Sequence, residues 1–466
     1  VGNGRRQLAL ALLAGCGRIA FDPIGDATGG GDSATARTVW MTPFLGGMGG
    51  DALVWSLSPD GSGGAFVAGS FQQSVTVGSL SYGWVNPPND NGFVAHLGSD
   101  GVPAWVVPLH AGGTCDMRAV WYDAASVTVY AGGIAQGPML SDGNPCDNPS
   151  VPQAPAILGF GASDGGAVSF AQLPAGGRNG QLWNLDLSEG APIVNGIYAD
   201  TVVINGVTLP TAPSCCDNTF VAQIGGAAPW QWALTSSGFV DPDNVDVLGG
   251  DTCVGGRFQA GANLFGSSVT PVGDYDVWVA RLGPDGSPRF VSTFGSIAYD
   301  GFVAVRATAD GGCMIAMDAG GPVSFGGAVG TTQFAGGASD IVIATLDASG
   351  VATAATAIGG PGADHVFGLA VLAGTPYISI VFDGPLAIAG TTYTPQASDG
   401  AIVALAGTAP SRMIAVISGA GDVEDGRLYT DGTSLFIGGQ FSGALSLGAF
   451  SANAIALSGY AAQLVP

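Results

Sequence analysis

Lysine is missing from this chain: all 12 of its bases are arginine. Glutamate is nearly missing too, with only Glu189 and Glu424 beside a large excess of aspartate. Without lysine there is no Walker A loop, no pyridoxal Schiff base and no lysine nucleophile. Acids outnumber bases 35 to 12, which gives a formal charge of -23 and a pI near 4.1. Such a surface repels nucleic acid. Histidine is limited to His96, His110 and His365, and no two have the short spacing of a zinc site. No apolar run reaches the ~18 residues of a spanning helix, despite a mean hydropathy of +0.39. What is abundant is glycine, 79 of 466 residues, with 28 prolines. Scarce Glu and Lys beside abundant Gly, Asp, Ser, Thr, Val and Phe predict a turn-rich, all-β protein.

The first residues read as an address. Arg5-Arg6 precede the apolar Leu8-Ala9-Leu10-Ala11-Leu12-Leu13, then Ala14-Gly15-Cys16. A short basic start, a brief apolar stretch and small residues before a cysteine have the shape of a secretory signal. Leu13-Ala14-Gly15-Cys16 resembles the lipobox of bacterial lipoproteins. The resemblance implies cleavage before Cys16, lipidation of that residue and an anchor at the outer membrane or cell surface. Residues 1–15 are then the signal peptide. Residues 16–37, rich in Gly, Asp, Ala and Thr, are a lipidated flexible tether.

The remainder, 38–466, repeats itself. One copy holds Ala52-Leu53-Val54-Trp55-Ser56-Leu57, the turn Pro59-Asp60-Gly61, and Ala65-Phe66-Val67-Ala68-Gly69-Ser70-Phe71. A variable stretch follows, then Gly92-Phe93-Val94-Ala95-His96-Leu97, the turn Ser99-Asp100-Gly101, and a last strand around Trp105. That last strand recurs at Trp40, Trp105, Phe170, Trp232, Phe290, Ala354 and Met413. Four period-two strands per copy match the size of a propeller blade, whose two faces are buried only by stacking on neighbours. The final copy lacks its fourth strand, and Thr38-Val39-Trp40-Met41-Thr42 supplies one. The expected fold is an all-β, seven-bladed propeller whose last blade is closed by the N-terminal strand. Closure would remove two open edges.

The copies resemble the seven-bladed propeller repeats of large bacterial extracellular proteins, with a Gly-Gly-x-Gly-x-Asp corner, a Gly-x-Phe strand end and a Phe-Val-Ala-x-Leu strand. The resemblance covers about 38–466. The third copy departs from it, since Gly176-Gly177-Arg178-Asn179-Gly180 has no corner acid, and so does the fifth at Cys313-Met314-Ile315-Ala316-Met317.

Two corners, Gly46–Val54 and Gly359–Phe367, also match the calcium nonapeptide of RTX proteins. That fold needs tandem copies, so a corner between blades is the better reading. The corner acids Asp51, Asp116, Asp243, Asp300, Asp364 and Asp425 are expected around one mouth of the channel. There they either bond locally to backbone or form a ligand or cation site. No cofactor and no metal are expected; calcium is the one ion those acids would admit. Six cysteines remain beside Cys16. In propeller topology Cys115 and Cys146 emerge on one face and are the favoured disulfide. Cys253 and Cys313 fall inside second strands and read as buried thiols; the pairing of Cys215 and Cys216 stays open. The connections between second and third strands carry Tyr82, Trp84 and Tyr393 as candidate binding anchors.

These residues point to a non-catalytic, monomeric, lipid-anchored propeller that binds a protein or polysaccharide of the cell envelope through its loop-rich face. A periplasmic outer-membrane assembly scaffold is the first rival. A propeller enzyme (lyase, glycosidase or quinoprotein) is the second, but sequence spacing assigns no funnel ring of Arg, acid and Trp for a quinoprotein. Fold alone does not supply a function.

Overall fold

The computed structural model describes residues 36–83, 90–109, 114–136, 153–172, 180–188, 191–198, 203–204, 207–208, 218–225, 228–419 and 421–466. Among them every element is a β-strand, and the strands form a propeller-like arrangement of four-stranded antiparallel blades. Four blades are separate sheets, with inner strands Cys115–Asp123, Gln181–Ser188, Val240–Leu248 and Asp300–Ala307. A fifth opens on Asp364–Leu372. Two more four-stranded runs share a ten-stranded sheet. One begins at Ala52–Pro59; the other comprises Val423–Thr430, Leu435–Phe441, Ser458–Val465 and Arg37–Gly46. A single parallel bridge, Ala52 to Ser458, joins the two. The N-terminal strand thus lies antiparallel to the C-terminal one, with Trp40 opposite Gln463 and Thr42 opposite Ala461.

The apolar character of the strands follows from stacking. In Asn91–Leu97, Phe93, Ala95 and Leu97 enter one interblade core, while Val94 enters the next. Period-two alternation therefore sends side chains into two dry interfaces instead of one core and solvent. The outer-strand tryptophans lock neighbouring blades. The Trp232 indole N–H donates to Pro284 O at 3.0 Å, in the turn of the next blade that carries Gly286 at φ 79°. A Cβ on Gly286 would lie 2.7 Å from the Trp232 ring, so the Asp-Gly turn and the Trp are two halves of one contact.

Inner strands contact one another in order: Ala52–Pro59 with Cys115–Asp123, and so on to Val423–Thr430, which contacts Ala52–Pro59. In three of them, side chains of the preceding inner strand cap backbone N–H groups on the channel-side edge. Val120 and Tyr122 donate to Ser56 and Ser58 Oγ at 3.1 and 2.9 Å. Val247 and Ala307 donate to Asp186 and Asp246 Oδ2, both at 2.7 Å. These polar residues answer the need of buried backbone groups for partners.

Two expectations are corrected. Cys253 and Cys313 are not thiols but a disulfide, with Cα atoms 6.2 Å apart. They occupy second strands of adjacent blades, and stacking places equivalent positions within bridging reach. The second-to-third connections are not free loops where described. They fold into short hairpins, two of which pair with the preceding blade's outer strand: Ser74–Val77 with Arg37–Gly46, and Ala444–Leu447 with Ala409–Ser418. Tyr82 and Tyr393 accordingly pack half-buried against the interblade cores instead of standing exposed. Trp84, Cys16, Cys146, Cys215 and Cys216 lie outside the described residues; Cys115 is disulfide-bonded. Among the described residues no helix is long and apolar enough to cross a membrane.

Candidate functional site

The inner strands share an irregularity. Each pairs regularly with its second strand except at one step, where the register shifts. The shift isolates Trp55, Arg118, Trp183, Asp243 and Phe367 singly. It isolates Gly301-Phe302 as a pair, and in the last run it falls just before Arg427. A bulge turns its extra residue away from the ladder and re-aims the side chain. The residues so turned out, Trp55, Arg118, Trp183, Asp243, Phe302 and Phe367, line one cavity of about 160 Å³ in the central channel together with Arg427, which stays in the ladder opposite Gly438. The bulge also accounts for a motif glycine: a Cβ on Gly256, opposite Pro242, would lie 1.9 Å from Asp241 O.

This girdle is aromatic and cationic. The Arg118 guanidinium lies 4.5 Å from the Trp55 ring centre and 5.9 Å from that of Trp183. It is held there by Asp116, whose Oδ2 accepts from Nε at 2.7 Å. Arg427 lies 6.0 Å from the Phe302 ring and donates across the channel to Asn184 Oδ1. Asn184 in turn donates to Asp243 O at 2.7 Å. Arg306, from another inner strand, donates to Leu428 O at 3.3 Å and pairs with Asp246 at 3.3 Å. These spokes bar the channel, with a lower chamber of about 130 Å³ beyond them. On the corner side lies a vestibule of about 430 Å³, lined by Trp55, His365, Phe367, Asp383, Glu424 and Gln440 among others. The His365 Nδ1 lies 2.9 Å from Asp318 Oδ2, and this bond raises the imidazole pKa.

The corner acids divide into separate settings. Asp51 and Asp116 line a side cavity of about 140 Å³ with Asp90 and Arg118. Asp243 is in the girdle; burial pushes its carboxyl up to about 7 against the pull of Arg257. Asp300 accepts from the Ser296 backbone N–H and hydroxyl and from Gly320 N–H. Asp364 accepts from Gly360 N–H at 2.7 Å. Burial raises both carboxyls to about 6. The side chain of Asp425 lies outside the described residues. Among the described residues no three His, Cys, Asp or Glu side chains converge as a metal set. Gly161-Ala162-Ser163-Asp164-Gly165 has the Gly-x-Ser-x-Gly spacing, but it forms a turn between two strands, without the helix that a nucleophile elbow requires.

Sequence reading missed the girdle. Its signal is the residue shortly after each corner, Trp55 after Asp51 or Phe367 after Asp364, but the residue type changes from copy to copy.

No protein-family model and no curated protein matches the chain. Solved structures with a similar arrangement include Sqt1 from Chaetomium thermophilum, at 10% identity over 88% of this chain and 84% of that one, TM-score 0.41. The Pan2 WD40 domain of Neurospora crassa matches at 9% identity over 70% and 85%, TM-score 0.34. Drosophila Plexin A, solved in complex with Semaphorin 1b, matches at 9% over 93% and 87%, TM-score 0.39. Likenesses at this level bear on no function.

Proposed function

We propose that this chain is a non-catalytic binding propeller, a closed ring of seven blades that holds its partner at the corner-side mouth of the channel. The observation that carries the reading is the girdle: six inner strands spend a bulge on aiming one side chain into the same space, and the last adds Arg427 just beyond its own bulge. Those side chains are stacking platforms and hydrogen-bond donors, the equipment of a binding site. The ring of seven is supported by the order of inner-strand contacts, which returns from Val423–Thr430 to Ala52–Pro59, and by the N-terminal strand on Ser458–Val465. The partner is a protein or polysaccharide of the cell envelope. Lipid on Cys16 would hold residues 38–466 at the outer membrane or cell surface by way of the 16–37 tether.

The girdle does contain the Arg, acid and Trp that a quinoprotein requires. At about 160 Å³ it is smaller than the ~300–1,000 Å³ typical of ligand pockets. Its two guanidiniums are also already engaged by Asp116 and Asn184.

The test is affinity capture from envelope extracts with the full chain and with its Trp55→Ala variant. A partner retained by the first and lost by the second is the expected result; equal capture by both moves the site elsewhere. Protease shaving of intact cells separates surface display from a periplasmic scaffold, and mass spectrometry of the mature N-terminus checks the lipid.

A further inference from the structure

We propose that the corner-side vestibule receives an uncharged sugar ring, the end unit of a glycan, with its apolar face on Trp55 or Phe367 and its oxygens turned to donors of the wall. The proposal rests on the reading that the channel mouth binds a ligand, and it names the ligand's chemistry.

Three observations converge on it. The first is unmet donors. Gln440 lines the vestibule and is only 4% exposed, yet its Nε2 has no hydrogen-bond partner among the described residues. The same holds for Trp183 Nε1 and Arg427 Nε in the girdle below. Indole and guanidinium groups donate and never accept, as does the amide NH₂. Buried donors without acceptors are costly, so the fitting ligand is rich in acceptor oxygens.

The second is charge. The Arg118 guanidinium is matched by Asp116, and Arg427 is near enough to Asp243 to act on its carboxyl. The rim adds exposed carboxylates at Asp383 and Glu424, in a chain of net charge -23. An anion approaching this mouth meets more repulsion than attraction. A cation would leave the orphan donors unanswered.

The third is shape. The vestibule has an apolar wall of Trp55, Phe367, Val381 and Val423, and a polar rim of His365, Asp383, Ser398 and Glu424. A pyranose has that same division: a face of C–H groups and an edge of hydroxyls. At about 430 Å³ the vestibule falls within the usual ligand-pocket range of roughly 300–1,000 Å³. The Arg427–Asn184 spoke closes its floor, so a chain end enters and a chain interior does not thread through.

The experiment is titration of the full chain, read by tryptophan fluorescence and calorimetry. The probes are cello-, malto-, manno- and chito-oligosaccharides, oligogalacturonate and oligoguluronate as acidic counterparts, and a random peptide library. The expected result is saturable binding of at least one neutral series. Affinity should fall about tenfold or more in Trp55→Ala and in Gln440→Met, which keeps the side-chain volume. Circular dichroism and the melting curve verify that each variant is folded; Phe367→Leu replaces any variant that is not. No saturable signal from any neutral series up to about 10 mM overturns the proposal. If acidic sugars or peptides bind in a Trp55-dependent way and neutral sugars do not, the sugar assignment fails while the mouth remains a binding site. Silence from all three probe classes counts against both.

Discussion

The buried carboxyls give the protein an unusual dependence on pH. Burial holds Asp243 near 7 and Asp300 and Asp364 near 6, against an ordinary 3.8. In the folded chain they keep their protons through a window, from about pH 4 to 6 or 7, in which the unfolded chain has released them. Their contribution is therefore complete below the unfolded value and is lost as pH rises through the folded ones. The melting temperature should be a few degrees higher at pH 5 than at pH 8, and Asp300→Asn should narrow the difference. A flat or inverted profile would show that these groups ionise freely. General repulsion at a charge of -23 acts in the same direction, so the comparison belongs in high salt, where that part is screened. At the same scale, Gly286→Ala places a methyl group 2.7 Å from Trp232 in a left-handed backbone. A loss of about 2–4 kcal/mol is expected from backbone strain and overpacking, read from the urea midpoint. Gly390→Ala, at φ 83° with nothing within 4 Å, should lose only the backbone part.

At the scale of strands, what repeats was legible and what varies was not. The Phe93–Leu97 and Gly69–Phe71 signatures recur because every blade faces two neighbours of the same kind, so packing imposes the same residues on each copy. In three of the Asp-Gly turns an aromatic ring sits on the glycine: Trp40 on Gly101, Trp105 on Gly165 and Trp232 on Gly286. The bulged positions obey no such constraint. They face the channel, they carry Trp, Arg, Asp or Phe, and their offset from the corner acid differs between Asp51–Trp55 and Asp116–Arg118. No periodicity marks them. The Cys253–Cys313 bridge was missed for a related reason. Each cysteine looks like one more small apolar residue in a buried strand, and only stacking of copies brings the two side by side. Replacing both with Ala releases a loop spanning 60 residues and should cost about 4 kcal/mol in the chain-entropy view, measured by denaturant unfolding. An unchanged midpoint would mean that packing alone holds this interface.

For the whole molecule, the joint between chain ends is the critical element. Arg37–Gly46 covers the edge of Ser458–Val465 and contributes the buried Trp40 and Phe44 to an interblade core. Removing residues up to Gly46 should expose that edge and produce oligomers by light scattering. A truncated chain that stays monomeric with an unaltered melting curve would show that the joint neither protects that edge nor stabilises the fold. The closing pair was readable from sequence because a missing fourth strand at one end had a lone strand at the other to fill it. The direction of the channel side chains was not, because it depends on where each ladder slips.

That slip has a consequence for descent. A residue standing outside every rung can be exchanged without disturbing the rungs, so Trp55, Trp183 or Phe367 can drift while the wheel around them is inherited intact. Relatives of this chain should therefore agree at their blade contacts and differ at the hub, each lineage having retooled its grip by a few point changes.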